Sequence, residues 1–151
     1  MSTRRAWSTM AGLAAAALLL VPTASVAGGG KHACSVDKLN GLYVFTASGV
    51  NLTLGPKAII ELIRFNGDGT VEVAGGTIVV NGTKTAIPSG GAGTYTVNDL
   101  TPPDDMCAGT LSFPHGATNF DIFLAPDAKK VRMIQTDSGN VFEGTAARVS
   151  H

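Results

Sequence analysis

The chain has 151 residues, with 11 basic and 11 acidic side chains and a formal net charge of zero. Only 15% of the residues are charged, which leaves no basic footprint for nucleic acid and none for an anionic membrane surface.

The chain opens with MSTRRAWSTMAGLAAAALLLVPTASVAGGG. Arg4 and Arg5 precede an apolar run, Ala11 to Val21, that is too short to span a bilayer. Ser25 and Ala27 then fit a small-x-small cleavage site. The segment reads as a signal peptide, residues 1–27, and not as a membrane anchor. An ordinary export signal is preferred over the twin-arginine type that the Arg pair weakly resembles. One domain, residues 28–151, remains; it is large enough to bury roughly two thirds of its unfolded surface. It carries no second apolar run of spanning length. The expected location is secreted or periplasmic. In such an oxidising compartment the two cysteines, Cys34 and Cys107, read as one disulfide. Closing so long a loop contributes about 4 kcal/mol in the chain-entropy account. A catalytic thiol is the rival reading, and no His or Asn context supports it.

The mature sequence shows no 3.6-residue apolar period. Short alternating runs separated by Gly, Asn, Asp and Pro predict strands and hairpins. Strands are expected near Leu42–Ser48, Ala58–Phe65, Thr70–Ala74, Thr77–Val80, Thr83–Ile87, Gly93–Asn98, Ala108–Phe113, Thr118–Ala125, Lys130–Thr136 and Val141–Val149. Asn81-Gly82 suits a two-residue primed turn. Asn66-Gly67-Asp68-Gly69, Pro114-His115-Gly116-Ala117 and Ser138-Gly139 are further tight connections. About eight long strands joined by short turns imply an all-β, up-and-down antiparallel β-barrel, which removes exposed sheet edges. A two-sheet β-sandwich is the alternative.

LNGLYVFTASG, FNGDGTVEVAGGTIVVNG, GAGTYTVN, CAGTLSF, FDIFLAPD and IQTDSGNVFEGTAARV follow one another in order. Together they resemble a group of small exported bacterial β proteins, most of them uncharacterised. In architecture such chains are similar to lipocalin-like barrels and to the barrel of allene oxide cyclases and dirigent proteins. The resemblance implies a barrel and is nearly silent on activity. No catalytic motif of the cyclases matches residue by residue, so none is carried over.

Hairpin register assigns faces, because side chains alternate along a strand and paired residues share a face. Pairing Ala125 with Lys130 and Asp137 with Asn140 collects Phe120, Ile122, Leu124, Val131, Met133, Gln135 and Phe142 on one face. Asp121, Arg132 and Glu143 fall on the other. The preferred reading puts the apolar face inside and the three charges in solvent as a modest cross-strand cluster. The alternative turns the faces round, so that Asp121, Arg132 and Glu143 line a lumen and neighbouring copies of a homo-oligomer cover the apolar face. In the preferred reading, Arg64 and Gln135 are polar residues stranded on apolar faces. Arg64 gets there by pairing Phe65 with Thr70, unless it sits at the barrel mouth and snorkels to water. These two are the candidate ligand contacts, since pockets are mostly apolar with a few placed polar groups. Tyr43 and Tyr95 offer phenol groups.

Other chemistry finds little support. Asn66-Gly67-Asp68-Gly69-Thr70 is a fragment of a calcium loop without the remaining oxygen ligands. His32, His115 and His151 have no metal spacing. There is no Gly-x-Ser-x-Gly elbow, and Gly90, Gly91 and Gly93 precede no helix start that would hold a phosphate. No metal or cofactor is expected. Three functions are carried forward: an exported barrel that binds a small apolar molecule, a cyclase- or isomerase-type enzyme, and a structural envelope module.

Overall fold

The computed structural model describes residues 34–100, 106–114, 118–125 and 127–150. The segment read as a signal peptide, residues 1–27, and the three histidines lie outside the described residues. A 3-10 turn, Val36–Lys38, leads into β1 (Asn40–Asn51), β2 (Gly55–Asn66), β3 (Thr70–Val80), β4 (Thr83–Ile87), β5 (Ala92–Tyr95), β6 (Asn98–Asp99), β7 (Cys107–Phe113), β8 (Thr118–Leu124), β9 (Lys130–Gln135) and β10 (Asn140–Ser150).

β1 pairs with β2 and with β10, β2 with β3, and β3 with β5. β5 and β6 both pair with β7, and β8, β9 and β10 follow in order. With β5 and β6 taken as one interrupted strand, eight antiparallel strands close on themselves. The chain is therefore a barrel and not a sandwich. A barrel of this size has room for packed side chains or for one small ligand. β4 pairs only with β3 and forms a lip on the barrel. Its hairpin turn is the expected primed type, with φ of +46° at Asn81 and +81° at Gly82.

The β8–β9–β10 registers match those expected from the turns: Leu124 pairs with Val131 and Glu143 with Ile134. The apolar face is inside. Ile122, Leu124, Val131, Met133 and Ala146 are all buried, and Asp121, Arg132 and Glu143 are exposed. The lumen alternative for these three charges is thereby corrected. Nor do they form a cluster: among the described residues the ion pair is Lys129–Asp127, at 3.9 Å. Arg132 instead pairs across to Phe123 and Thr145, and Ile134 stands between Asp121 and Glu143.

The facing of Arg64 is also corrected. Phe65 pairs with Val71, one residue further along than expected, because the Asn66–Thr70 connection takes up one more residue. Asp68 Oδ1 accepts from the Thr70 amide at 2.8 Å and its hydroxyl at 2.6 Å, and Asn66 Nδ2 donates to Thr70 Oγ1 at 2.9 Å. Thr70 is thus held as part of the turn. The one-residue shift turns Arg64 outward, where it is exposed opposite Glu72.

Two expected strands, Thr70–Ala74 and Thr77–Val80, are one strand with a bulge. Leu62 pairs with Gly75 and Ile63 with Val73, so Ala74 is the extra residue. The bulge re-phases β3, which lets both Val73 and Ile78 reach the lumen. Beyond it Gly76 lies against β2. A Cβ there would sit 2.6 Å from the Ile60 carbonyl oxygen and 2.9 Å from the Glu61 Cα.

One end of the barrel is plugged. Cys34 and Cys107 form the expected disulfide, with Cα atoms 5.6 Å apart, which ties the 3-10 turn to β7. The Tyr95 hydroxyl lies 2.8 Å from the Val36 carbonyl and 2.9 Å from that of Leu39, and it accepts from the Gly67 amide at 3.1 Å. Tyr43 donates to the Ala128 carbonyl at 2.7 Å and accepts from Arg148 Nε at 2.8 Å. Phe65 stands edge-on between the two tyrosines, with ring centroids 5.1 and 5.0 Å away.

Candidate functional site

The opposite end is open. Alternation along β2 carries the inward face from buried Phe65 and Ile63 back through Glu61 and Ile59 to Lys57. These last three line a cavity of about 320 Å³ whose walls are otherwise mainly apolar: Phe45, Val73, Ile78, Ile87, Phe120 and Phe142. The Phe45 and Phe120 rings meet edge to face at 5.8 Å.

Lys57 is fixed at the mouth. Its ammonium donates to Gln135 Oε1 at 2.5 Å and to Asn140 Oδ1 at 2.9 Å, and sits 4.0 Å from the centre of the Phe142 ring. Burial pulls its pKa below the usual lysine value, against the opposing field of Asp137. Gln135 passes the contact on, its Nε2 donating to Asp137 Oδ2 at 2.7 Å. Asp137 in turn accepts from the Asn119 amide at 2.9 Å and from its side chain at 2.7 Å. Burial pushes the Asp137 carboxyl up, but the bonds from Gln135 and Asn119 outweigh it and hold the group below the usual carboxylate range. The chain of bonds joins β2, β8, β9 and the β9–β10 turn into a stiff rim.

Glu61 lies deeper and is different. It is 8% exposed and, among the described residues, the one charged residue that is buried. Across the sheet it pairs with Phe45 and Gly76, neither of which offers a side-chain donor. No hydrogen bond or ion pair holds its carboxyl among the described residues. Burial alone pushes its pKa up to about 7. A carboxyl that titrates near neutrality in an apolar cavity can accept a proton, a hydrogen bond or a positive charge.

Of the residues singled out in the sequence, Gln135 lines this cavity. Arg64, Asp121, Arg132 and Glu143 are on the outer wall. Tyr43 and Tyr95 belong to the plug, where burial raises both phenol pKa values. Glu61 and Lys57 escape a sequence reading because Ala58-Ile59-Ile60-Glu61-Leu62-Ile63 is apolar on both faces of the strand. The usable signal was Phe65: taken as an inward anchor, it puts Glu61 and Lys57 inside. Among the described residues no group of His, Cys, Asp and Glu side chains is placed to hold a metal ion.

No family model matches the chain. No curated protein matches it at a significant level either. Among solved structures the chain is similar to a redesigned β-barrel, mFAP1, bound to DFHBI. The two are 15% identical with a TM-score of 0.39, over 75% of this chain and 97% of that one.

Proposed function

We propose that this protein is an exported barrel that binds a small, largely apolar molecule in its open mouth, with Glu61, Lys57 and Gln135 as the polar contacts. One observation carries the reading: the lumen is plugged and filled at one end, while the other keeps a cavity of about 320 Å³ with mostly apolar walls. That is the lower end of the size range for ligand pockets, with the usual combination of apolar lining and a few placed polar groups. A purely structural module has no use for an unfilled lumen with a buried carboxyl facing it. The disulfide supports an oxidising compartment, and the Arg4-Arg5 start with its short apolar run supports export as the route there.

The test is a fluorescence titration with N-phenyl-1-naphthylamine, an apolar dye whose nitrogen is not basic. Saturable binding to wild type, lost in Ile59→Trp, which fills the cavity, supports the reading. Dye binding that Ile59→Trp leaves unchanged sinks it.

The Glu61 carboxyl also favours a second reading, a proton-transferring enzyme of the isomerase or cyclase type. A general base works best with a pKa near the working pH. The probe is 5-nitrobenzisoxazole, which opens when a base removes its ring C–H proton. Turnover that rises through pH 7 and disappears in Glu61→Gln supports this reading; a rate no better than that of free carboxylate removes it.

A further inference from the structure

We infer that the molecule held in the barrel mouth is an organic amine: an apolar skeleton with a protonated nitrogen that docks on Glu61. This deepens the binding reading above and rests on it. The polar groups in the cavity differ in what they still lack. Lys57 already donates to Gln135 and Asn140 and covers the Phe142 ring. Gln135 spends its carbonyl on Lys57 and its amide on Asp137. Thr118 also lines the cavity and is not free. Among the described residues Glu61 alone faces the cavity with no partner, and it is more than nine-tenths buried.

The missing partner must be a donor, because an ionised carboxylate only accepts. Three kinds of ligand head group can be ranked. A carboxylate would meet Glu61 with like charge, and the nearest cation is already engaged at the rim. A hydroxyl would supply one neutral hydrogen bond. An ammonium would supply a charge-assisted bond and would pair a charge that is otherwise alone in an apolar wall. The walls suit the rest of such a molecule, since Phe45, Phe120 and Phe142 present aromatic surface around the carboxyl. Among the described residues, and apart from Lys57 on the same strand, none of those lining the cavity from β1, β3, β4, β5, β7, β8, β9 and β10 is titratable. Asp137 stands behind Gln135 and is held by it. The proton on Glu61 therefore governs docking: the protonated acid has no charge to offer an ammonium. With the carboxyl titrating at about 7, the amine should bind well above that pH and poorly below it.

The experiment uses three probes on one skeleton: 1-naphthylmethylamine, 1-naphthalenemethanol and 1-naphthoate. Each competes against N-phenyl-1-naphthylamine on the disulfide-bonded protein. At pH 8 the amine should bind about tenfold more tightly than the alcohol, and the naphthoate more weakly than either. In Glu61→Gln the advantage of the amine over the alcohol should vanish. Wild type supplies a second readout that needs no variant: from pH 8 to pH 6 the amine should lose about tenfold in affinity while the alcohol is unchanged. Equal binding of amine and alcohol, or an amine advantage that survives in Glu61→Gln, overturns the inference. If the dye binds and the amine has no advantage, the amine class falls and the ligand site stands. If the dye itself does not enter the cavity, both fall.

Discussion

Glu61 lies four residues beyond Lys57 on the same inward face of β2, and the two do not pair. The Lys57 ammonium turns to Gln135, Asn140 and the Phe142 ring, and leaves the Glu61 carboxyl without a partner among the described residues. A cavity with a satisfied rim and an unsatisfied wall is the feature from which the functional account follows.

The first consequence is a pH dependence of stability. Burial raises the Glu61 pKa from 4.5 to about 7, so between those values the folded protein holds a proton that the unfolded chain has lost. Stability contributed by the neutral acid is complete below pH 4.5 and is lost as the pH rises through 7. At about 1.4 kcal/mol per pKa unit the loss is at most about 3–4 kcal/mol, and water entering the mouth reduces it. Urea unfolding of wild type and Glu61→Gln at pH 5 and pH 8 checks this. The variant should gain on wild type at the higher pH; parallel curves would contradict it.

The plug should depend on a single phenol. Tyr95→Phe removes the hydroxyl that meets the Val36 and Leu39 carbonyls and the Gly67 amide. The expected loss is about 1–3 kcal/mol, because the Leu39 carbonyl left behind is buried and the other two groups are partly so. Hydrogen exchange should rise at residues 36–39 and at Gly67, with β8 and β9 unaffected. Uniform acceleration across the barrel would mean that the plug is not a separable unit.

The Cys34–Cys107 bond closes a loop with a sequence separation of 73. Its removal in the double variant Cys34→Ser, Cys107→Ser should cost about 4 kcal/mol in the chain-entropy account. Non-reducing alkylation of the wild-type protein should find no free thiol. The same intact mass reports whether residues 1–27 have been removed, as export requires.

Ile122 is fully buried and Asp121 beside it is exposed. Ile122→Asp should cost about 4 kcal/mol or more by placing a charge in the packed lumen. Asp121→Asn should change stability by less than about 0.5 kcal/mol, since Asp121 makes no ion pair among the described residues. Thermal melts of both variants decide the point, and a stable Ile122→Asp would reopen the assignment of faces.

The contrast between the two halves of the barrel explains what could be read from the sequence. In β8–β10 the tight turns fix the register, and the face with Ile122, Met133 and Phe142 is clear from alternation alone. In β2–β3 two local events decide the facing, and neither shows in the alternation pattern. Asp68 draws Thr70 into the turn, and Ala74 bulges out of β3. The first turned Arg64 outward, and the second joined two expected strands into one. Glu61 was hidden for a related reason: Ile60 and Leu62 on the outer face are as apolar as Ile59 and Ile63 on the inner one. The closed barrel and the disulfide needed only strand count, turn chemistry and two cysteines. The site needed Phe65 as the inward anchor of β2, because the apolar residues on both sides of Glu61 leave the facing open.

The outer isoleucines make the most direct test available. The central claim is that an apolar ligand enters the mouth and does not lie on the outer wall, where Ile60, Ile134 and Val141 are exposed. Methyl-labelled protein titrated with N-phenyl-1-naphthylamine separates the two by chemical shift. Saturable shifts are expected at the Ile59, Ile78, Ile87 and Val73 methyls, with Ile60, Ile134 and Val141 unmoved. Shifts confined to Ile60, Ile134 and Val141 would contradict it.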